Sequence, residues 1–260
     1  MRNDLASLSV ASASRTPLSA AALDRAGSDR LIALQQAPEE AGALIYQGAV
    51  FPLSPAQAPQ LFSYERRLST IGGNLSASHI TKDGRGDVVV VESAQLTPDY
   101  EVQRFDAVHK PAGYSGSVVV TGGRHLEFEL RKGGKTSTAS EDVKDPVVTG
   151  PSLHGFILQH KAVLAAGGRI RVRMIVLAQK QTYGFEIRRT DAPEGHIAFS
   201  IAPTNLLVRL ALAPLRVVFD AAGGNVVRYV GRVPPMREVN GRMKAFDARV
   251  EYTMNVAVYR

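Results

Sequence analysis

The chain has 260 residues, 45% hydrophobic and 21% charged, with 23 Gly, 14 Pro and neither Cys nor Trp. Its length suits one large β domain or two small ones, and its ordinary apolar and charged fractions exclude wholesale disorder and a collagen-like repeat. No apolar run approaches the roughly 18 residues of a membrane-spanning helix, and without cysteine there is no disulfide framework, thiolate metal site or Cys nucleophile. The net charge of +7 is uneven, since residues 206–260 carry nine Lys/Arg against four Asp/Glu and residues 1–60 carry four against five. A basic C-terminal segment either faces phosphates, anionic lipid or acidic polymer, or forms the solvent face of strands. Nucleic acid is not an expected partner, because few aromatics are interleaved with the basic residues.

In chain order, residues 1–20 are Ala- and Ser-rich. Ser, Thr and Arg15 interrupt any apolar core of a secretory signal, so either the protein is not exported or its start is substituted. Ser19 is placed to cap a helix over 20–36, and Pro38, Pro52, Pro55 and Pro59 mark an irregular connector. Residues 1–60 therefore read as an N-terminal extension and 61–260 as one β-rich domain.

From Leu61 the period becomes two. Phe62, Tyr64, Arg66 and Leu68 share one face of a strand, and Lys82–Gly86 reads as a turn before Val88–Val91. Val118–Thr121, Gly122-Gly123 and His125–Leu130 form the clearest hairpin, the glycine pair supplying the positive φ of a tight turn. Further strands are expected at 100–108, 169–178, 181–189, 196–202, 215–220, 225–232 and 244–259. Two segments break the rhythm. Leu153, Phe156, Ile157, Val163 and Leu164 line one face of a helix over 152–166, with His160 on that face. Residues 205–212 read as a short helix capped by Thr204 or Asn205, with a buried strand as the rival.

An antiparallel sheet of about ten strands accumulates twist and curls. The expected fold is mainly β, a strongly curved antiparallel sheet (half-barrel or clamshell) with one or two helices on or in its concave face. Such an interior suits a greasy occupant.

The order of motifs resembles that of a group of uncharacterised bacterial exported proteins, relatives of a mostly-β domain-of-unknown-function family. The pieces are Phe62-Ser63-Tyr64, then Gly150-Pro151-Ser152-Leu153 opening a helix with His160, then Arg169–Arg173 feeding Tyr183-Gly184-Phe185. Asn205–Pro214 leading into Leu215–Asp220 follows, and last Arg228–Arg232 before a strand ending Val250-Glu251-Tyr252. The likeness spans about 61–255. It implies an envelope setting, periplasmic or outer-membrane-associated, and a curved sheet similar in broad shape to lipoprotein-carrier half-barrels; it names no reaction. The unmarked N-terminus keeps a cytoplasmic location open.

No catalytic, cofactor or metal motif is written. The six histidines show no pair at i, i+4 and no HExxH. Gly133-Gly134-Lys135-Thr136 imitates the end of a phosphate loop, but Glu129 stands where that pattern needs Gly, so a hairpin turn is the better reading. Gly113-Tyr114-Ser115-Gly116-Ser117 misplaces the glycines of a nucleophile elbow. His125, Glu127 and Glu129 share a strand face, which reads as an exposed polar face opposite Leu126 and Phe128. His160 is either a satisfied core histidine or a ligand group. Arg209, among leucines, either reaches the surface or meets a carboxylate or an anionic head group. Tyr64, Tyr183 and Tyr229, apolar rings with polar tips, suit a cavity lining beside Leu153, Phe156, Ile157 and Leu164. The function expected is non-enzymatic binding or carriage of a lipid or other hydrophobic molecule. The alternatives are a cofactor-free cyclase or isomerase on a barrel, and an interaction protein using its basic C-terminal strands on a membrane surface or other anionic partner.

Overall fold

The computed structural model describes residues 42–254, except Ala56, Gly223 and the side chain of Ile71. The helix expected over 20–36, Pro38 and the end of the last expected strand lie outside the described residues. Fifteen strands follow in chain order: β1 (Ala43–Pro52), β2 (Phe62–Ile71), β3 (Asn74–Lys82), β4 (Val88–Leu96), β5 (Val102–His109), β6 (Tyr114–Thr121), β7 (His125–Lys132), β8 (Lys135–Asp142), β9 (Val147–Val148), β10 (Arg169–Val176), β11 (Gln181–Thr190), β12 (His196–Pro203), β13 (Leu215–Asp220), β14 (Val226–Val239) and β15 (Arg242–Met254). Among the described residues three short α-helices accompany them, α1 (Gly150–Gln159), α2 (Lys161–Ala165) and α3 (Leu206–Ala211), with a 3-10 turn at Leu177–Gln179. The mainly-β, curved-sheet expectation is met, with fifteen strands where about ten were expected.

All fifteen strands form one sheet in the order β8-β7-β6-β5-β4-β3-β2-β1-β15-β14-β13-β12-β11-β10-β9. Every neighbour is antiparallel except β9 and β10. The segment assigned to the N-terminal extension therefore supplies a central strand, β1, paired with β15 on one side and β2 on the other. Ile45, Tyr46 and Val50 are buried there, so this strand has the apolar content of a core strand despite its flanking prolines.

Covalent continuity rolls the sheet. The two edge strands, β8 and β9, are joined by residues 143–146 alone. That link spans at most about 18 Å, whereas a flat sheet of fifteen strands would be roughly 65 Å wide. The ladder stays open, but side chains cross the seam. Glu141 of β8 accepts from Arg173 Nη2 at 2.6 Å, from Thr182 N at 2.7 Å and from Thr182 Oγ1 at 2.8 Å. Ile175 and Leu177 pack with Phe105, Val118 and Phe128 across the same gap. Glu141→Ala removes the acceptor of a buried main-chain N–H. It is expected to lower stability by about 2–3 kcal/mol in urea unfolding, and Glu141→Gln by less.

The roll has two rims. The upper rim carries the connections after β1, β3, β5, β7, β10, β12 and β14; the lower carries those after β2, β4, β6, β8, β11 and β13. Helix α1 leaves β9 and packs against β3 and β4 on the inside of the roll. Leu153, Phe156 and Ile157 are buried in the main core, joined by Leu164 from α2. The single helix expected over 152–166 is divided at His160, which ends α1 and opens α2. Gly155 admits the Tyr100 ring, since a Cβ there would stand 2.0 Å from a ring carbon. At the upper rim β14 and β15 run past their neighbours as a hairpin, with a bulge between Arg232 and Met236. The hairpin bends toward β4, and Val233 and Phe246 are buried in the main core. His109 Nε2 of β5 donates to Pro234 O at 2.7 Å and so ties the hairpin to the opposite wall.

Candidate functional site

Strand register alone assembles a polar row on the inner wall. Tyr46 pairs with Arg66, Arg66 with His79, and His79 with Glu92, across β1, β2, β3 and β4. Directly paired residues share a face, so all four side chains project inward. Two residues along, Tyr252, Tyr64, His109 and Tyr114 occupy a parallel row. Gly48 lies within it because a Cβ there would meet the Tyr252 ring at 3.0 Å. The N-terminus of α1 comes down onto these rows and adds His154.

Arg66 is 0% exposed. Its Nη1 donates to His79 Nε2 at 2.9 Å and to Pro151 O of α1 at 2.5 Å, and its guanidinium carbon lies 5.9 Å from the centre of the Tyr46 ring. Because Arg cannot accept, His79 Nε2 must, which leaves the imidazole proton on Nδ1. That Nδ1 would lie 3.6 Å, and Glu92 Oε2 3.1 Å, from a Cβ on Gly150, so a larger residue there would crowd both. Glu92 Oε2 is buried and accepts no hydrogen bond among the described residues. Tyr46 Oη and His154 Nδ1 share a hydrogen bond of 2.7 Å. Tyr252 packs edge-on against Tyr46 at 4.9 Å, and Tyr64 edge-on against His79 at 4.8 Å.

Electrostatics keep the imidazoles of His79 and His154 and the phenols of Tyr64 and Tyr252 neutral beside the Arg66 charge, with Glu92 balanced between its two forms near neutral pH. Burial, then the Arg66 charge, holds His154 down to about 3. Burial, then Arg66 and His154, holds His79 well below the usual histidine range. Burial pushes the Glu92 carboxyl up to about 7. Burial, then neighbouring tyrosines, raises the Tyr64 and Tyr252 hydroxyls, and burial followed by the Glu92 charge raises Tyr114. The inner wall thus carries a fixed positive group, an imidazole N–H and phenol hydroxyls, all hydrogen-bond donors. Among the described residues no group of three or more His, Asp or Glu could hold a metal ion. Tyr114 also lines an open groove of about 330 Å³ at the upper rim, with His109, Lys110, Arg131 and Lys132.

The residues singled out from sequence fall in three places. Tyr64 belongs to the inner rows, and Tyr229 is half-buried nearby with Oη donating to Arg232 O at 2.5 Å. Leu153, Phe156, Ile157 and Leu164 form the core beneath the cluster. His160 is half-buried, its ring 4.3 Å from that of Phe156, with Nδ1 2.9 Å from Phe156 O. Tyr183, at the upper end of β11, bonds Gln179. Arg209 is exposed on α3, donating Nε to Pro203 O at 2.5 Å. The interior cation is therefore Arg66, because α3 lies on the rim and buries no residue. Tyr46, Arg66, His79, Glu92 and His154 belong to no motif and escape a sequence reading, and Tyr252 enters it only as the end of a strand. The one signal is Arg66 sharing a strand face with Phe62, Tyr64 and Leu68. The C-terminal arginines are partly neutralised, between β14 and β15 by Arg228–Glu251 at 2.9 Å and Arg232–Asp247 at 2.7 Å and within β15 by Arg249–Glu251 at 3.1 Å.

No family model matches the chain, and no curated protein matches it. Among solved structures, it is similar to a DUF1089 family protein from Pseudomonas aeruginosa, with a TM-score of 0.38 and 16% identity over 68% of this chain and 94% of that one. It is also similar to a porin-like protein from Bacteroides uniformis, with a TM-score of 0.24 and 8% identity over 81% of this chain and 96% of that one.

Proposed function

We propose that this protein binds and carries an anionic amphiphile without turning it over, the head group held at Arg66 and the apolar chain in the upper lumen. The observation that carries this reading is the fully buried Arg66 guanidinium on the inner wall, among imidazoles that burial keeps neutral. Its charge is fixed at any ordinary pH, and an anionic head group brought to it would form charge-assisted hydrogen bonds. The groove at the upper rim, lined by Lys110, Arg131 and Lys132, supports access from that end. The hairpin of β14 and β15 covers that end, and Val233 and Phe246 fill the space an acyl chain would take. Carriage in the bacterial envelope follows the resemblance of motif order. Among the described residues no helix is long and apolar enough to cross a membrane.

Native mass spectrometry of the purified protein, followed by solvent extraction, tests this reading. The expected result is an acyl-bearing anion bound at one per chain. Protein that is empty as isolated and still takes up no dodecyl phosphate would overturn it. A second reading has one observation in its favour: Glu92, raised to about 7, has the protonation balance of a general acid or base. On that reading the roll is a cofactor-free isomerase or cyclase. Chemical change of the extracted molecule on incubation with fresh protein, lost in Glu92→Gln, would favour it over carriage.

A further inference from the structure

We infer that the upper rim is a docking surface for an anionic membrane. The large hydrophobic side chains most exposed among the described residues are six, and Leu53, Leu206, Leu207, Leu210 and Met243 all stand at this rim. The sixth, Val163, is on α2. On α3, Leu206, Leu207 and Leu210 are 71%, 75% and 81% exposed. A cluster of this kind on a water-facing surface marks an interaction site. The helix that presents it is firmly delimited, with Asn205 Oδ1 accepting from Leu207 N at 2.8 Å and Pro214 following its close.

Charge identifies the occupant. Connections at the upper rim carry Arg85, Lys110, Lys180 and Arg209 against Asp83 and Asp87, and the strand ends beside them add Lys132, Lys135 and Arg242 against Glu238. At the lower rim Asp99, Glu101, Asp191 and Glu194 stand against Arg124 and Lys161, with Lys144 and Asp145 cancelling, and the strand ends beside them add Asp142 and Asp220 against Arg169 and Arg189. The molecule is therefore polar along the roll axis, its basic end coinciding with its apolar end. Leucines that enter the acyl boundary while lysines and arginines remain among phosphates are the two requirements of interfacial binding to an anionic bilayer. The proposal concerns the outside of the rim and stands whatever the lumen holds.

Flotation of the full chain with vesicles of phosphatidylcholine containing about 30 mol% phosphatidylglycerol tests it, compared with phosphatidylcholine alone. The parent is expected to float with the anionic vesicles, less so at high salt, and weakly with the neutral ones. The triple variant L206S/L207S/L210S changes only exposed positions and should keep its melting temperature while losing vesicle binding by at least about tenfold. It should bind soluble dodecyl phosphate as the parent does, which separates this surface from the lumen. A parent that ignores anionic vesicles, a variant that floats equally well, or equal binding to both vesicle types would overturn the proposal. So would a parent dimer that the variant dissolves without any vesicle binding.

Discussion

Glu92→Gln is expected to stabilise the protein at pH 8 by about 3 kcal/mol and to change the shape of its stability–pH curve. The Glu92 carboxyl titrates at about 7 in the folded chain and at 4.5 when free, so the folded state holds a proton that the unfolded state has lost. Stability from this group is therefore complete below pH 4.5 and is lost as pH rises through 7, at about 1.36 kcal/mol per unit of difference. His154 works the other way. Held at about 3 in the fold against 6.5 free, it is neutral while the unfolded chain takes up a proton, so its stability is present above pH 6.5 and lost as pH falls toward 3. His79 acts in the same direction as His154. The parent should be most stable near pH 6.5 and decline on both sides. The Glu92→Gln variant should lose the decline between pH 6.5 and 8 and steepen the one on the acid side. Urea denaturation across that range reads both; an unchanged alkaline limb would mean that Glu92 is ionised at no cost and reaches solvent.

Phe246→Ala should have opposite effects on folding and on binding. The Phe246 side chain is buried under the hairpin, 6.1 Å from the Phe62 ring, and the Arg237 guanidinium lies 5.5 Å from its centre. Removing it costs about 3 kcal/mol, as for other buried phenyl groups. If the hairpin is the cover of the lumen, the cost falls on the covered state, and the ligand-accepting state is populated more. Dodecyl phosphate should then bind the variant more tightly, although its melting temperature is lower. Hydrogen exchange should accelerate in 233–246 and not in α1. Weaker binding in parallel with lower stability would show that the hairpin is part of the binding wall instead.

How far the sequence reveals this fold depends on where each strand sits. The hairpin of β6 and β7 is legible because one face alternates Leu126, Phe128 and Leu130 and its turn is Gly122-Gly123, both at positive φ. Asn205 is legible as a cap because its carboxamide oxygen has backbone N–H groups to accept from. The edge strand β8 is hidden, since Lys135–Asp142 is polar on both faces and only Glu141 reveals a tertiary purpose, by crossing the seam. β1 is hidden for the opposite reason, an apolar strand set among prolines that suggest a connector.

The candidate site is harder to see. Arg66 is 13 residues from His79 in the chain, Glu92 comes from the strand after that, and nothing but register joins the three. Arg66 on the apolar face of β2 is the visible anomaly, yet one charge on a half-buried strand reads as solvent-facing until the face opposite is known. Arg209, more conspicuous among its leucines, attracts the anchor role because hydropathy cannot tell a helix inside the roll from one on its rim.

The most direct measurement is calorimetric titration of the parent and Arg66→Met with two ligands of equal chain length, dodecyl phosphate and dodecanol. Methionine keeps the apolar stem and removes the guanidinium. The parent should prefer the phosphate by at least about tenfold, the worth of one or two hydrogen bonds to a charged group, and Arg66→Met should bind both alike while keeping its fold by circular dichroism. A parent that does not distinguish the two ligands, or a preference for phosphate that survives in Arg66→Met, would contradict a head-group site at Arg66.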